Sequence, residues 1–200
     1  MQALVIATHN QHKTEEIREI LGPYFSQIAD LTEHPEIPPA DETGVTFEEN
    51  ASIKALEASQ LLGPGVSVLS DDSGLEVDAL DGAPGVYSAR YSGEGATDAS
   101  NRTKLLEELA KVGARGKERS ARFRCTMVLA SGGEKLAVFD GKVEGTIINE
   151  EKGDGGFGYD PIFVPEGYCE TFGQLSSQVK NQQSHRARAL AQAIEYFQQD

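Results

Sequence analysis

The stretch "ARFRCTMVLASGGEKLAVFDGKVEGTII", residues 121–148, decides the fold. Phe123, Cys125, Met127 and Leu129 alternate with Arg122, Arg124 and Thr126, the period-two pattern of a strand with one buried face. "SGGE" at 131–134 supplies the chemistry of a tight turn, Leu136 to Phe139 forms the returning strand, and Val143 to Ile148 continues the sheet.

Outward from this hairpin, strands alternate with helices. Ala3 to Ala7 reads as a short buried strand, and Ile17, Ile20 and Leu21 fall at helical spacing on a segment beginning near Lys13. A second strand is expected near Ile28 to Leu31, followed by a proline-bearing loop, "EHPEIPPADETG". Phe47, Ala51, Ala55, Ala58 and Leu62 then mark one face of a helix, and Val66 to Leu69 reads as a strand ending at Asp71 and Asp72. Asp98 is the expected cap of a helix carrying Leu105, Leu106, Leu109 and Val112. Ser184 is the expected cap of a last helix carrying Ala187, Leu190, Ala191, Ile194 and Phe197. The pattern predicts an α/β fold, a mixed central sheet with flanking helices, and 200 residues predict a single domain over 1–200.

The balance of 32 acidic against 18 basic side chains, a formal charge of -14, argues against nucleic acid or anionic lipid as a partner. The opening run "MQALVIATHN" has no basic leader and is too short to cross a membrane. Cys125 and Cys169 are too few for a disulfide framework, so the expectation is a cytoplasmic protein.

Four segments carry residues suited to one chemistry. The loop "THNQHK" leaves a strand and opens a helix, presenting backbone N–H groups and a helix dipole to which Thr8 and Asn10 add donors and Lys13 a charge; the plainer reading is a capping loop. Asp71 and Asp72, adjacent on a strand, point to opposite faces and so differ in role: one suits a hard cation, the other a structural partner. Glu42 is a candidate second ligand, since magnesium is often held by one or two carboxylates plus substrate phosphates; an Asx turn and a solvated glutamate are the competing accounts. In the glycine-rich stretch "GDGGFGYDPIF", Phe157 or Tyr159 offers a stacking face beside Asp160, whereas Phe163 reads as core. Finally, Lys180, His185, Arg186 and Arg188 place cations at a helix start, where the macrodipole disfavours them unless an anion or an acceptor-rich ligand docks. Together these suit a nucleoside triphosphate with magnesium.

The motifs "ATHNQHKTEEI", "ETGVTFEENA", "SDDSGLEVDALDGAPGVYSARYSG", "GGFGYDPIF" and "KNQQSHRARAL", in that order over nearly the whole chain, resemble those of the inosine triphosphate pyrophosphatase (Ham1-like) family. The resemblance implies two lobes around a cleft, a homodimer, and Mg-dependent hydrolysis of ITP, dITP and XTP to the monophosphate and pyrophosphate. By position it implies that Thr8, His9, Asn10, Gln11, His12 and Lys13 bind the triphosphate and that Glu42 and Asp72 hold magnesium. Asp72 also becomes the general base, with Ser73 touching the substrate. Phe157, Gly158, Tyr159, Asp160, Lys180, His185 and Arg186 become the base-binding set. Two positions depart from the family pattern: His9 stands where glycine is common, and Gln183 stands where an apolar residue is usual. The competing readings are a pyrophosphatase for pyrimidine nucleotides and an acidic nucleotide-binding regulator without turnover.

Overall fold

A computed structural model describes residues 3–199; the ends of the expected domain, residues 1, 2 and 200, lie outside the described residues. Among these residues six strands form one sheet: β1 (Ala3–Ile6), β2 (Gln27–Asp30), β3 (Ser67–Val77), β4 (Ser120–Ser131), β5 (Glu134–Ile147) and β6 (Phe163–Pro165), in the order β2-β1-β3-β4-β5-β6. β1 pairs parallel with both β2 and β3, while β5 pairs antiparallel with β6, so the sheet is mixed as the pattern predicts. Among the described residues, five α-helices accompany it: α1 (Gln11–Leu21), α2 (Phe47–Leu62), α3 (Asp98–Lys111), α4 (Ser177–Gln183) and α5 (His185–Phe197). Among the described residues, no helix is long and apolar enough to cross a membrane.

Contacts group the chain into two compact units. Unit 1 collects the chain up to Asp72, Cys125–Gly141 and the segment from Arg186 onward; unit 2 collects Ser73–Arg124 and Lys142–His185. In unit 1, Leu4, Ile6 and Leu69 pack with Ile17 and Leu21 of α1 and Leu190 and Ala193 of α5, while Val5 and Val68 pack with Ala58 of α2. Alternate strand residues thus serve opposite faces of a sheet covered by helices on both sides. In unit 2, Leu105 and Leu109 of α3 pack with Leu75, Val77, Phe123, Val143, Phe163 and Phe172.

The hairpin forms as read. Gly132 and Gly133 occupy a two-residue turn with φ of 58° and 83°, the left-handed pair that matches strand twist. Elsewhere the structure corrects the sequence reading. β3 does not stop at Asp71 but runs on to Val77, because its polar middle is satisfied by partners remote in sequence. Thr97, not Asp98, caps α3, accepting from the Ser100 N–H. Val112 lies past the end of α3 and is exposed, and Ala191 is exposed while Ala189 and Ala193 face the core.

Candidate active site

The loop between β1 and α1 places Thr8 to Lys13 at the carboxyl end of a parallel strand, the usual ligand position of open α/β sheets. The Asn10 side chain accepts from the Lys13 N–H (3.2 Å) and the Asn10 N–H donates to Thr8 Oγ1 (3.1 Å), which fixes the loop without glycine. His9, Gln11 and His12 are exposed, and no acidic side chain stands in the first turn of α1 to compete for its dipole.

Asp71 and Asp72 take different partners, as alternation on a strand requires. Asp71, 1% exposed, faces α1 and α5: its carboxylate accepts from Lys13 Nζ, from Arg186 Nε at 2.9 Å and from the Cys125 thiol at 3.1 Å. Burial pushes the Asp71 carboxyl up, but the Arg186 guanidinium and the Lys13 ammonium outweigh it and hold the group well below the usual carboxylate range. Arg186, itself 1% exposed, also pairs with Glu16. The Arg186 guanidinium, expected at the base, is therefore engaged by Asp71 and Glu16 within unit 1.

Asp72 faces α2. Lys54 Nζ donates to Asp72 Oδ1 at 2.9 Å and to Glu42 Oε1 at 2.8 Å, so the two carboxylates expected to share a cation share this ammonium. Lys54 Nζ also reaches the Asp71 carbonyl at 2.9 Å, the same oxygen that Lys13 Nζ approaches at 3.5 Å. Burial raises the proton affinity of Asp72 against the pull of Lys54 and Lys13. Asp72 Oδ2 is buried and accepts no hydrogen bond among the described residues. Lys54 escaped sequence reasoning because it is a cation at helical spacing on a face otherwise marked by alanines, and no spacing along the chain points it to Glu42 and Asp72.

Among the described residues no group of three or more His, Cys, Asp or Glu side chains is arranged to hold a metal ion. Glu42 and Asp72 still fit a hard cation of the kind that takes one or two carboxylates and completes its shell with substrate oxygens, since Asp72 Oδ2 is not engaged by a hydrogen bond.

Unit 2 carries the other candidates. Lys180 Nζ donates to Asp160 Oδ2 at 2.6 Å and lies 4.6 Å from the centroid of the Phe157 ring, while the Phe157 N–H donates to the same Asp160 oxygen at 2.9 Å. Gly156, with φ of +69°, packs so closely on Asp160 that a Cβ there would collide with Oδ2. Phe157 is half-buried, but Tyr159 is 4% exposed, donates its hydroxyl proton to the Ser88 carbonyl at 2.8 Å and belongs to the hydrophobic core, so Tyr159 offers no stacking face. His185 is buried with its ring stacked on Phe123, centroids 4.8 Å apart. Phe163 is core, as expected. Ser73, the first residue of unit 2, follows Asp72 within β3 and is half-buried.

Residues 4–196 match the model of the Ham1 family. A relative from Desulfotalea psychrophila named dITP/XTP pyrophosphatase is 51% identical over 94% of this chain and 82% of its own length. One from Streptococcus thermophilus with the same name is 48% identical over 97% of this chain, which spans only 59% of that longer protein. Among solved structures, a HAM1 protein from Coxiella burnetii matches with a TM-score of 0.89 at 39% identity, covering 100% of both chains.

Proposed function

The chain belongs to the Ham1 family, and from that premise we propose that it hydrolyses the non-standard purine nucleoside triphosphates dITP, XTP and ITP to the monophosphate and pyrophosphate. The observation that carries the reading is the convergence of Lys13 and Lys54 on the Asp71 carbonyl, with Glu42 and Asp72 gathered around Lys54. Ammonium groups beside a carboxylate pair, next to a helix N-terminus, suit a substrate that is a polyanion with a cation.

In this reading the amides of Thr8 to Lys13 and the Lys13 ammonium bind the triphosphate and stabilise the departing pyrophosphate. Glu42 and Asp72 Oδ2 would hold magnesium, which when bound supplies neutralisation of charge developing on the phosphates. Asp72 orients the attacking water and accepts its proton. Lys54 holds both carboxylates in place through its hydrogen bonds to Glu42 and Asp72. Ser73 contacts the substrate.

Base recognition falls to unit 2. Phe157 stacks on the purine, and Lys180, His185 and the backbone around Gly158 supply hydrogen bonds; Arg186 braces the adjoining helix start through Asp71. Hypoxanthine and xanthine carry an acceptor oxygen at position 6 where adenine carries an amino donor, and a mismatch of buried groups gives discrimination of about 10⁴ or more. In this reading the enzyme acts as a homodimer in the cytoplasm.

Product analysis with XTP, dITP and ITP, with ATP and GTP in parallel, tests the proposal. Monophosphate and pyrophosphate from the first three are expected, lost in Asp72→Asn with the fold kept. Orthophosphate release, or near-native turnover by Asp72→Asn, refutes it.

A further inference from the structure

The first turns of α3 grip the peptide that follows Phe157. Asp98 Oδ2 accepts from the Gly158 N–H at 2.7 Å, and Arg102 Nη1, one helical turn later, donates to the Gly158 carbonyl, also at 2.7 Å. The same guanidinium is ion-paired through Nε with Glu151 at 2.9 Å. Arg102 is only 13% exposed at its side chain, against 43% for Glu151. Thr97 does the capping of α3, which releases the Asp98 carboxylate for the loop. Gly158 itself has φ of +59°, and its backbone N–H and C=O are both held from α3.

We propose that Asp98 and Arg102 are specificity-determining positioning residues: by clamping Gly158 they keep the peptide groups of residues 157–159 in one orientation, so that the loop rejects guanine. The inference rests on the reading that this loop faces the purine. Guanine shares the 6-oxygen with hypoxanthine and xanthine and differs from them by a 2-amino donor. Rejecting it requires polar groups that do not turn to accommodate it. Residues flanking a glycine have low barriers to peptide rotation, and a freed peptide would present its carbonyl to the 2-amino group. Two hydrogen bonds to one residue, on its N–H and on its C=O, oppose that rotation.

The test is a comparison of kcat/KM for XTP, ITP, GTP and ATP in the wild type, Asp98→Ala, Arg102→Met and Arg102→Lys, with thermal unfolding of each. The expected result is a rise of about tenfold or more in the GTP-to-XTP ratio for Asp98→Ala and Arg102→Met, with ITP turnover within about threefold of wild type. Arg102→Lys, which keeps a donor for the Gly158 carbonyl, restores much of the selectivity. Parallel loss on all four substrates, or unchanged ratios in well-folded variants, overturns the inference. A wild-type enzyme that leaves ITP and XTP intact instead overturns the proposed function, so the two failures are distinguishable.

Discussion

Replacing Asp71 by Asn removes a negative charge that Lys13 and Arg186 share inside unit 1. The change is nearly isosteric, so the loss is electrostatic. Removing one partner of a buried ion pair costs about 3–5 kcal/mol, because the surviving charges stay out of water. Asn retains an oxygen, and Glu16 still holds Arg186, which favours the lower end of that range. At 2–4 °C per kcal/mol for a chain of this size, a loss of about 3 kcal/mol lowers Tm by roughly 6–12 °C. The effect carries a pH signature. The folded-state value of Asp71 lies below the ordinary 3.8, so its stabilisation is complete above that pH and fades as pH falls toward the depressed folded value. Thermal unfolding of both proteins in chelator should therefore give a constant gap from about pH 5 to 8, narrowing below about pH 4. A shift smaller than about 2 °C at neutral pH, or a gap that stays constant into acid, would refute the argument.

Three further outcomes are expected. Lys54→Met leaves Glu42 and Asp72 without the ammonium they share and should lower kcat on XTP by about a hundredfold or more in a protein that still unfolds cooperatively; unimpaired kcat would remove Lys54 from the machinery. Gly156→Ala forces a Cβ onto Asp160 at a left-handed position, displacing the carboxylate from Lys180 and the Phe157 amide, and should raise KM for ITP about tenfold or more, so an unchanged KM refutes the idea that Asp160 positions Lys180 and Phe157 for the base. Burial pushes the Cys125 thiol well above its ordinary range, while Cys169 is exposed, so a thiol reagent at pH 8 should modify one cysteine in the native protein and two after denaturation. Two fast-reacting native thiols would contradict the packing around Asp71.

The parts of the fold that sequence reveals are those whose cause is local. Gly132 and Gly133 dictate their turn, and the alternation from Phe123 to Leu129 dictates a half-buried strand. The length of β3 was hidden because Asp71 and Asp72 look like the end of a strand until their partners are known, and those partners come from Lys13, Lys54, Cys125 and Arg186. Thr97 and Asp98 are both good caps, and choosing between them depends on Gly158, 60 residues away. Carboxylates and phosphate-loop donors could be named from residue type. The pairing of Arg186 with Asp71 and the shared ammonium of Lys54 could not, since no spacing along the chain encodes them. Tyr159 illustrates the same limit: its ring chemistry suits stacking, and only the fold reveals that Ser88 holds its hydroxyl.

The unbroken run of β3 makes the two carboxylates a matter of parity. Leu69 and Asp71 face α1 and α5; Val68 and Asp72 face α2. Because side chains on a strand alternate, deleting or inserting a single residue upstream within β3 would flip both, turning Asp71 to the α2 face and Asp72 to the face of α1 and α5. Point substitutions at neighbouring positions leave the assignment standing, but a one-residue length change does not. The strand therefore has a reading frame of its own: lineages of this enzyme should vary freely in the loops before and after β3 while its residue count between Val68 and Asp72 stays fixed.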